Sequence, residues 1–464
     1  MLRAIPGLEG DMHMSDERAG ESSGANIFEQ GSPLKTYLTL AMPVVVSMLI
    51  SVVYNIADTY FIAATQNTQL VAGVSLCAPI FTILMAFGNI FGQGGSSMIS
   101  RLFGQGKTRD TKAVSSFCFY ISLLTGLVIG IIMLLFPGQL LGVLGADVDT
   151  IIYARPYYLT MAVGAPFVVA NFIHMNLLRS EGMASQSMIG SVSGLLLNVI
   201  LDPIFISGLG WGAFGAAFAS VLGYVFSDVF LLIIVLRKSK ILSIDPRIVL
   251  IEGSFIRQIF GVGISAAVTN WMSSICLIIT NQFLLVYGSD QIAAMGIAQK
   301  VIMVPLLITT GLVFGSAPII GYYYGGHRYP ELKTMLKMIF AVVEGVTILL
   351  SLVIFAAAVP AVKFFLTDAT VVSAGALMIR FLVVTLALAT FVSMTTVCFQ
   401  AAGLGLEALI ISICRQGIVF LIVVFIANAL AGYMGVLASQ AIADVITTIF
   451  AFGVFWKRFF QKLK

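Results

Sequence analysis

Long apolar windows recur along almost the whole sequence and constrain its fold more than any other feature. Because about 20 apolar residues in a helix cross a hydrocarbon core of ~30 Å, each window is long enough for one crossing. Only 10% of the 464 residues are charged and 59% are apolar, whereas about 25% of a soluble domain is charged. This composition excludes a soluble enzyme, a nucleic-acid binder and a disordered chain. The twelve windows cover residues 36–63, 70–94, 113–136, 154–178, 185–207, 212–236, 258–287, 292–317, 334–358, 373–400, 406–428 and 432–456.

The polar segments between the windows predict the domains and the orientation. Residues 1–34 are predicted to be a flexible cytoplasmic tail, 35–236 a first lobe, 237–257 a cytoplasmic linker and 258–464 a second lobe. If the N-terminus is cytoplasmic, the cytoplasmic side receives all but four of the 25 lysine and arginine residues. Positive charge favours that side, so both termini are predicted to be cytoplasmic. The four exceptions are Arg155, Lys300, Lys363 and Arg380.

The two halves of the chain resemble each other. Ala72-Gly73-Val74-Ser75 is followed 223 positions later by Met295-Gly296-Ile297-Ala298, and Phe103-Gly104 matches Tyr324-Gly325 at nearly that offset. Motifs that match in the same order and at nearly the same offset in both halves indicate an internal repeat. Since six helices return a repeat to its starting side, we expect an all-α protein of twelve transmembrane helices in two six-helix lobes. These are parallel repeats about a pseudo-two-fold axis along the membrane normal, with a central cleft.

Ionisable side chains inside the windows are candidates for function, because each costs about 2.5–3.5 kcal/mol at a helix centre. We expect Asp228, Arg415 and Asp444, in cytoplasmic halves, to pair or to reach the membrane surface. Glu344 is predicted to have a structural role. Arg380 is expected to reach the membrane–water interface. The candidates are Asp58, Asp202, Asp228, Lys300, Glu344, Arg380, Arg415 and Asp444.

Asp58 and Asp202 differ from the others because they are predicted to lie at one depth with Ser220, roughly 7–12 Å below the outer edge of the spans. Asn198 precedes Asp202 by four residues and shares its helix face. Pro203 frees a backbone carbonyl within the same span. Hard oxygen donors of this kind suit Na⁺ or a proton. The alternative is two separate aspartates, each hydrogen-bonded in the interior.

The second lobe lacks this acidic pattern. Asn281 stands at the position equivalent to Asp58, and Lys300 stands where the first lobe has Cys77. Lys300 is therefore a candidate cleft charge that repels cations and steers them toward the first lobe. The alternative is that its side chain reaches the membrane surface without a specific role.

From Pro33 onward the chain resembles the MATE (multidrug and toxic compound extrusion) family. Within that family it is similar to bacterial MepA-like members, and its acidic first lobe is similar to DinF-type members. The motifs that carry the resemblance are Asp58-Thr59-Tyr60-Phe61-Ile62, Gly104-Gln105-Gly106, Asn176-Leu177-Leu178-Arg179-Ser180-Glu181-Gly182 and Asn198-Val199-Ile200-Leu201-Asp202-Pro203.

The resemblance implies a transporter without a cofactor or an enzymatic activity. It would be a bacterial inner-membrane antiporter, expected to be monomeric, that expels cationic amphipathic compounds in exchange for H⁺ or Na⁺. Its partners would be small organic cations and the lipid bilayer, with no nucleic acid. In members with a cation site in the first lobe, the matching ligands are Asp58, Asn198, Asp202, Ser220 and the Ala216 carbonyl. These residues could hold Na⁺. Members that bind the cation in the second lobe place acids in helices 7 and 10, and the corresponding windows here contain none.

Two other functions compete with this hypothesis. A flippase of the same superfamily, moving a lipid-linked saccharide, would line its cleft with several Arg or Lys residues to hold pyrophosphate. Only Lys300 is placed to do so. A channel would need filter carbonyls or charge rings. A membrane-embedded enzyme would need a clustered nucleophile and base, and the three histidines are far apart in the sequence.

Overall fold

The computed structural model describes residues 25–29, 31–365 and 369–463, which are almost entirely helical and contain no β-strand. Most of the predicted tail, residues 1–24, lies outside the described residues. The α-helices are α1 (Ala25–Glu29), α2 (Pro33–Ala64), α3 (Thr68–Leu76), α4 (Ala78–Gly104), α5 (Thr108–Leu135), α6 (Pro137–Val143), α7 (Ile151–Ser180), α8 (Ala184–Asp202), α9 (Gly212–Lys238), α10 (Gly253–Leu285), α11 (Ser289–Gly325), α12 (Tyr329–Lys363), α13 (Ala369–Val384), α14 (Leu386–Ala401), α15 (Gly405–Ile413) and α16 (Val419–Arg458).

Short helical turns complete the chain. Two are π-helical, Pro203–Gly208 after α8 and Cys414–Ile418 between α15 and α16. Two are 3₁₀ turns, Pro246–Ile248 in the linker and Phe460–Lys462 after α16. Local chemistry explains several helix starts. For example, the Ser32 side chain accepts a hydrogen bond from the Lys35 N–H, and Pro33 occupies the first turn of α2, where no donor is lost.

Twelve membrane crossings follow from these helices. Within the described residues, ten helical stretches are long and apolar enough to cross a membrane, and α13 with α14, bent by 43°, makes an eleventh. One of the ten, Gly405–Lys462, contains 58 residues, which at 1.5 Å per residue would extend about 87 Å as a single helix. That length is too great for one crossing.

The chain reverses direction inside this stretch, at Gly432. The backbone there has φ +55° and ψ −131°, a conformation that glycine tolerates and other residues avoid. After the turn, a β-carbon on Gly435 would lie 1.8 Å from the Ala427 carbonyl oxygen, so the two arms touch. In the sequence, Gly212-Ala213-Phe214-Gly215 matches Gly432-Tyr433-Met434-Gly435, and Gly212 also has positive φ, +52°. The twelfth crossing is therefore the second arm of α16, and the predicted twelve-helix fold is confirmed.

Even-numbered crossings return the chain to its starting side. The start of α2, the linker and the end of α16 therefore lie at one end of the bundle, called here the terminal side. The opposite end is the distal side. α6 and the turns at Gly212 and Gly432 lie on the distal side.

The lobes meet on the terminal side through a reciprocal contact between α4 and α11. A β-carbon on Gly104 would lie 2.0 Å from the Tyr322 carbonyl oxygen, and one on Gly325 would lie 2.2 Å from the Arg101 carbonyl oxygen. Gly104 and Gly325 are partners in the sequence repeat, as are Arg101 and Tyr322. The same patch therefore meets itself across the pseudo-two-fold axis, as in a symmetric dimer.

α1 spans this junction, although it falls within the predicted tail. Phe28 is 1% exposed; its ring stacks on Tyr322 of the second lobe at 4.6 Å and meets Phe103 of the first lobe edge-on at 6.0 Å. The Tyr323 hydroxyl donates to the Phe28 carbonyl at 2.6 Å. The Tyr322 hydroxyl donates to the Glu29 carboxylate at 3.0 Å. α1 therefore covers the terminal side of the junction and contacts both lobes.

Candidate cation and substrate sites

Three helices of the first lobe carry the predicted cation ligands. Asp58 is near the distal end of α2, Asn198 and Asp202 are in the last turns of α8, and Ser220 is in α9. Asp202 is 0%, Asn198 2% and Ser220 8% exposed, whereas Asp58 is partly exposed. The Asn198 Nδ2 donates to Ser220 Oγ at 3.2 Å, so α8 and α9 present these two side chains to each other.

The carboxyl groups of Asp58 and Asp202 also meet, close enough for a hydrogen bond if one of them holds a proton. Both oxygens of Asp202 and the Oδ1 of Asn198 are buried and receive no hydrogen bond from any described residue. Buried oxygens without donors are costly. A bound proton or cation would satisfy them, because carboxylate and amide oxygens are ligands that hard cations prefer.

The backbone around this pair is irregular. Since Pro203 lacks an N–H, the α-helix stops at Asp202 and continues as a π-helical turn, in which the Leu209 N–H donates to the Ile204 carbonyl at 2.8 Å. Ala216, the remaining predicted ligand, is 1% exposed and lies one turn before Ser220 on α9. The structure therefore places Ala216 one helical turn from Ser220, and its backbone carbonyl is the one oxygen that this residue could offer as a ligand.

Three tyrosines lie around the carboxyl pair, and none of them was among the predicted ligands. The Tyr54 hydroxyl faces Ser220, and Tyr157 and Tyr224 lie within electrostatic range of Asp58. Tyr54 precedes Asp58 by four residues, and Tyr224 follows Ser220 by four. The i,i+4 spacing was a usable signal for these two. Tyr157, on α7, had no such signal in the sequence.

Asp228, Arg380 and Glu344 lie in three different environments. Asp228 accepts a hydrogen bond from Asn171 Nδ2 at 2.9 Å. The guanidinium of Arg380 lies 5.4 Å from the ring centre of Phe355, which supplies a cation–π partner. The Oε1 of Glu344 is buried and has no partner among the described residues.

The second lobe contains a cavity of about 280 Å³ between α10, α11, α14 and α15. Gln93 of α4 contributes to its wall from the first lobe, and its lining includes Arg415. Arg415 pairs with the buried Asp444, with Nε 2.9 Å from Oδ1. Lys300, the predicted cleft charge, is exposed and does not line this cavity. Arg415 is thus the cationic side chain that the structure brings to the cavity.

Comparison with known proteins identifies the family. The MatE sequence pattern matches the chain twice, at residues 43–204 and 265–426, close to the offset of the glycine motifs. The multidrug export proteins MepA of Staphylococcus haemolyticus and Staphylococcus aureus (strain MRSA252) are 32% and 31% identical to the chain over 424 residues. That alignment covers 91% of this chain and 93% and 94% of those relatives.

Solved structures agree with this result. A crystal structure of MATE in the straight conformation matches with a TM-score of 0.87 at 26% identity, covering 95% of this chain and 98% of that one. A structure described as the outward-facing conformation of a multidrug resistance MATE family transporter matches with a TM-score of 0.86 at 26% identity, covering 96% and 99%. The family resemblance, the two-lobe helical fold and the absence of an enzymatic role are therefore confirmed: the chain is a MepA-like membrane transporter that belongs to the MATE family.

Proposed function

We propose that this protein expels cationic, amphipathic organic compounds in exchange for H⁺ or Na⁺. The observation that carries the proposal is the meeting of Asp58 with Asp202, whose buried oxygens have no hydrogen-bond donor among the described residues. Two adjacent carboxylates in a low-dielectric site resist being ionised together. They favour binding one proton, one Na⁺ or one organic cation at a time, and this competition is what exchange requires.

Transport proceeds by alternating access of the two lobes. The tight contact of α4 with α11 and the cover formed by α1 support a state closed on the terminal side, and the similar structure described as outward-facing agrees with that state. If the coupling ion and the drug favour opposite-facing states, antiport follows from their different affinities alone. The lysine and arginine distribution supports a cytoplasmic terminal side, and the bacterial MepA relatives support a bacterial inner membrane. Each chain carries both lobes, which supports a monomer.

The cavity lining supports drug transport over movement of a lipid-linked saccharide. Pyrophosphate recognition requires several cationic side chains. Among the described residues that line the cavity, Arg415 is the single cation, and it is already paired with Asp444.

Uptake of ethidium into everted vesicles tests the proposal, with the H⁺ and Na⁺ gradients imposed separately. We expect at least one gradient to drive uptake by the wild-type protein. Asp58→Asn and Asp202→Asn should each reduce gradient-driven uptake at least tenfold, because an amide removes the charge that the cation neutralises.

The matched control is Asp147→Asn, which neutralises an exposed aspartate in a distal loop, where Thr150 donates to the Asp147 carboxylate. This variant should transport like the wild type at equal expression. Wild-type uptake by either Asp58→Asn or Asp202→Asn would contradict the proposed exchange site. Uptake that neither gradient drives would contradict antiport itself.

A further inference from the structure

The cavity in the second lobe has a polar wall with one fixed guanidinium. Hydroxyl and amide side chains contribute most of its polar surface, among them Thr269, Asn270, Ser273, Thr390, Ser393 and Gln416. Arg415 is the only ionisable side chain among its described lining residues. With a volume of about 280 Å³, the cavity lies near the lower end of the range for small-ligand pockets. It can hold one ring with its substituents, while the rest of a larger compound remains in the cleft.

Arg415 is held so that part of its guanidinium remains available. Its Nε donates to Asp444 Oδ1 at 2.9 Å and its Nη1 to Ser393 Oγ at 3.4 Å. Gln440 Nε2 also donates to Asp444 Oδ1, at 3.2 Å, so the carboxylate that orients Arg415 is itself fixed. A guanidinium has five N–H donors. The described contacts use two of them, which leaves a planar fork of donors beside the cavity.

The charge balance of this pair limits what it can attract. Asp444 is 3% exposed and does not line the cavity, but its negative charge neutralises that of Arg415. A paired guanidinium does not repel a cationic drug as a free one would. It still offers parallel N–H groups that match the two oxygens of a carboxylate. The site therefore suits the anionic end of a molecule whose other end is cationic.

We infer that Arg415 and the hydroxyl-lined cavity form a subsite for the carboxylate of zwitterionic amphipathic compounds. This inference rests on the proposed export of organic cations and assigns the side chain that recognises those which also carry a carboxylate. The cationic end of such a compound faces the first lobe and its acids, while the carboxylate accepts hydrogen bonds from Arg415. The π-helical turn Cys414–Ile418 carries Arg415, and turns of this kind are frequent at functional sites.

Two dyes that differ by one methyl group provide the test. Rhodamine 110 carries a free carboxyl group, and rhodamine 123 is its methyl ester. In everted vesicles the wild-type protein should take up both dyes. Arg415→Gln should reduce uptake of the acid dye about tenfold or more, because the charged donors are lost. Uptake of the ester dye should change less than about threefold. Arg415→Lys keeps the charge without the fork and should give an intermediate loss for the acid dye.

Removing Arg415 alone leaves Asp444 buried and unpaired, which can impair folding. The double variant Arg415→Gln with Asp444→Asn avoids this by replacing the ion pair with a neutral polar pair. It should insert normally and lose uptake of the acid dye selectively.

Equal losses for both dyes in the double variant would overturn the subsite, because they would reveal a structural role alone. Wild-type uptake of the ester dye without the acid dye would also overturn it and leave the proposed function intact. Uptake of neither dye by the wild-type protein would contradict the proposed function together with the subsite.

Discussion

Each buried charge in this protein is stabilised differently, and its neighbours decide what it can do. Arg415 and Asp444 neutralise each other at 2.9 Å, and Asp228 is held by the Asn171 amide. Asp202 has a second carboxyl group, that of Asp58, in place of a donor. An intramembrane charge is costly, and in the Arg415–Asp444 pair the opposite charges offset that cost without a ligand. Asp228 keeps one buried oxygen, Oδ2, without a donor among the described residues. Asp58 and Asp202 bring two carboxyl groups together, and a shared proton or cation would stabilise that pair.

Tyr54 provides a test of this site at the scale of one hydroxyl. Because its hydroxyl faces Ser220 beside the carboxyl pair, Tyr54→Phe should lower gradient-driven ethidium uptake about fivefold, the effect of one hydrogen bond worth about 1 kcal/mol. The ring remains, so packing is preserved. The control is Tyr60→Phe on the same helix, whose side chain is 66% exposed. Equal uptake by the two variants would show that the Tyr54 hydroxyl does not support the site.

At the scale of elements, hydropathy predicted where helices lie but not where they bend or end. α10 begins at Gly253 and α11 ends at Gly325, several residues beyond the predicted windows. The difference arises because the backbone hydrogen bonds of a helix continue beyond its apolar segment. Four crossings change geometry, at Cys77, Pro203, Thr385 and Cys414–Ile418. Proline carried a local signal at two of these positions, at Pro203 and at Pro79 just after Cys77, since it removes a backbone donor.

The linker between the lobes is anchored by Glu181, which follows the last residue of α7. Its carboxylate accepts hydrogen bonds from the Ser239 hydroxyl and, at 3.0 Å, from the Lys240 N–H. Glu181→Ala should lower the free energy of unfolding by about 1–3 kcal/mol, because both donors lose their acceptor. Glu181→Gln keeps an acceptor and should lose less. Thermal unfolding in detergent measures both, with Glu252→Gln in the exposed part of the linker as the control.

Glu181 also makes stability depend on pH. Burial raises the pKa of Glu181, so the folded chain binds this proton more tightly than the unfolded chain. Its contribution to stability is therefore present at low pH and is lost as the pH rises from the ordinary glutamate range through the raised value. Wild-type thermal stability should decline over that window more steeply than that of Glu181→Gln. Parallel curves for the two proteins would exclude this contribution.

At the scale of the whole molecule, two lobes of similar sequence close against each other on the terminal side. The α4–α11 contact is reciprocal, and the nearest atoms to a β-carbon on Gly104 or Gly325 belong to backbone, which cannot yield as a side chain can. Gly104→Val or Gly325→Val should therefore push the lobes apart on that side, at a cost of about 1–3 kcal/mol to the closed state.

Spin labels at Lys107 and Lys337, in a background with Cys414→Ser, measure this opening. The distance between the labels should increase in either valine variant, and ethidium uptake should fall at least tenfold. Gly345→Val is the matched control, because a β-carbon on Gly345 meets nothing within 4 Å. An unchanged distance in both terminal-side variants would show that the glycine contact does not hold the lobes together.

The sequence alone determined the class of molecule, the number of crossings and the two-fold repeat, because hydropathy and repeated glycine motifs are properties of short segments. It also singled out Asp58 and Asp202 as candidates, since charge inside an apolar window is visible without a structure. Which residues meet depends on how helices rotate and tilt against one another. Only the tertiary structure therefore placed Tyr54 at Ser220, turned Arg415 rather than Lys300 toward the cavity, and joined α1 to both lobes.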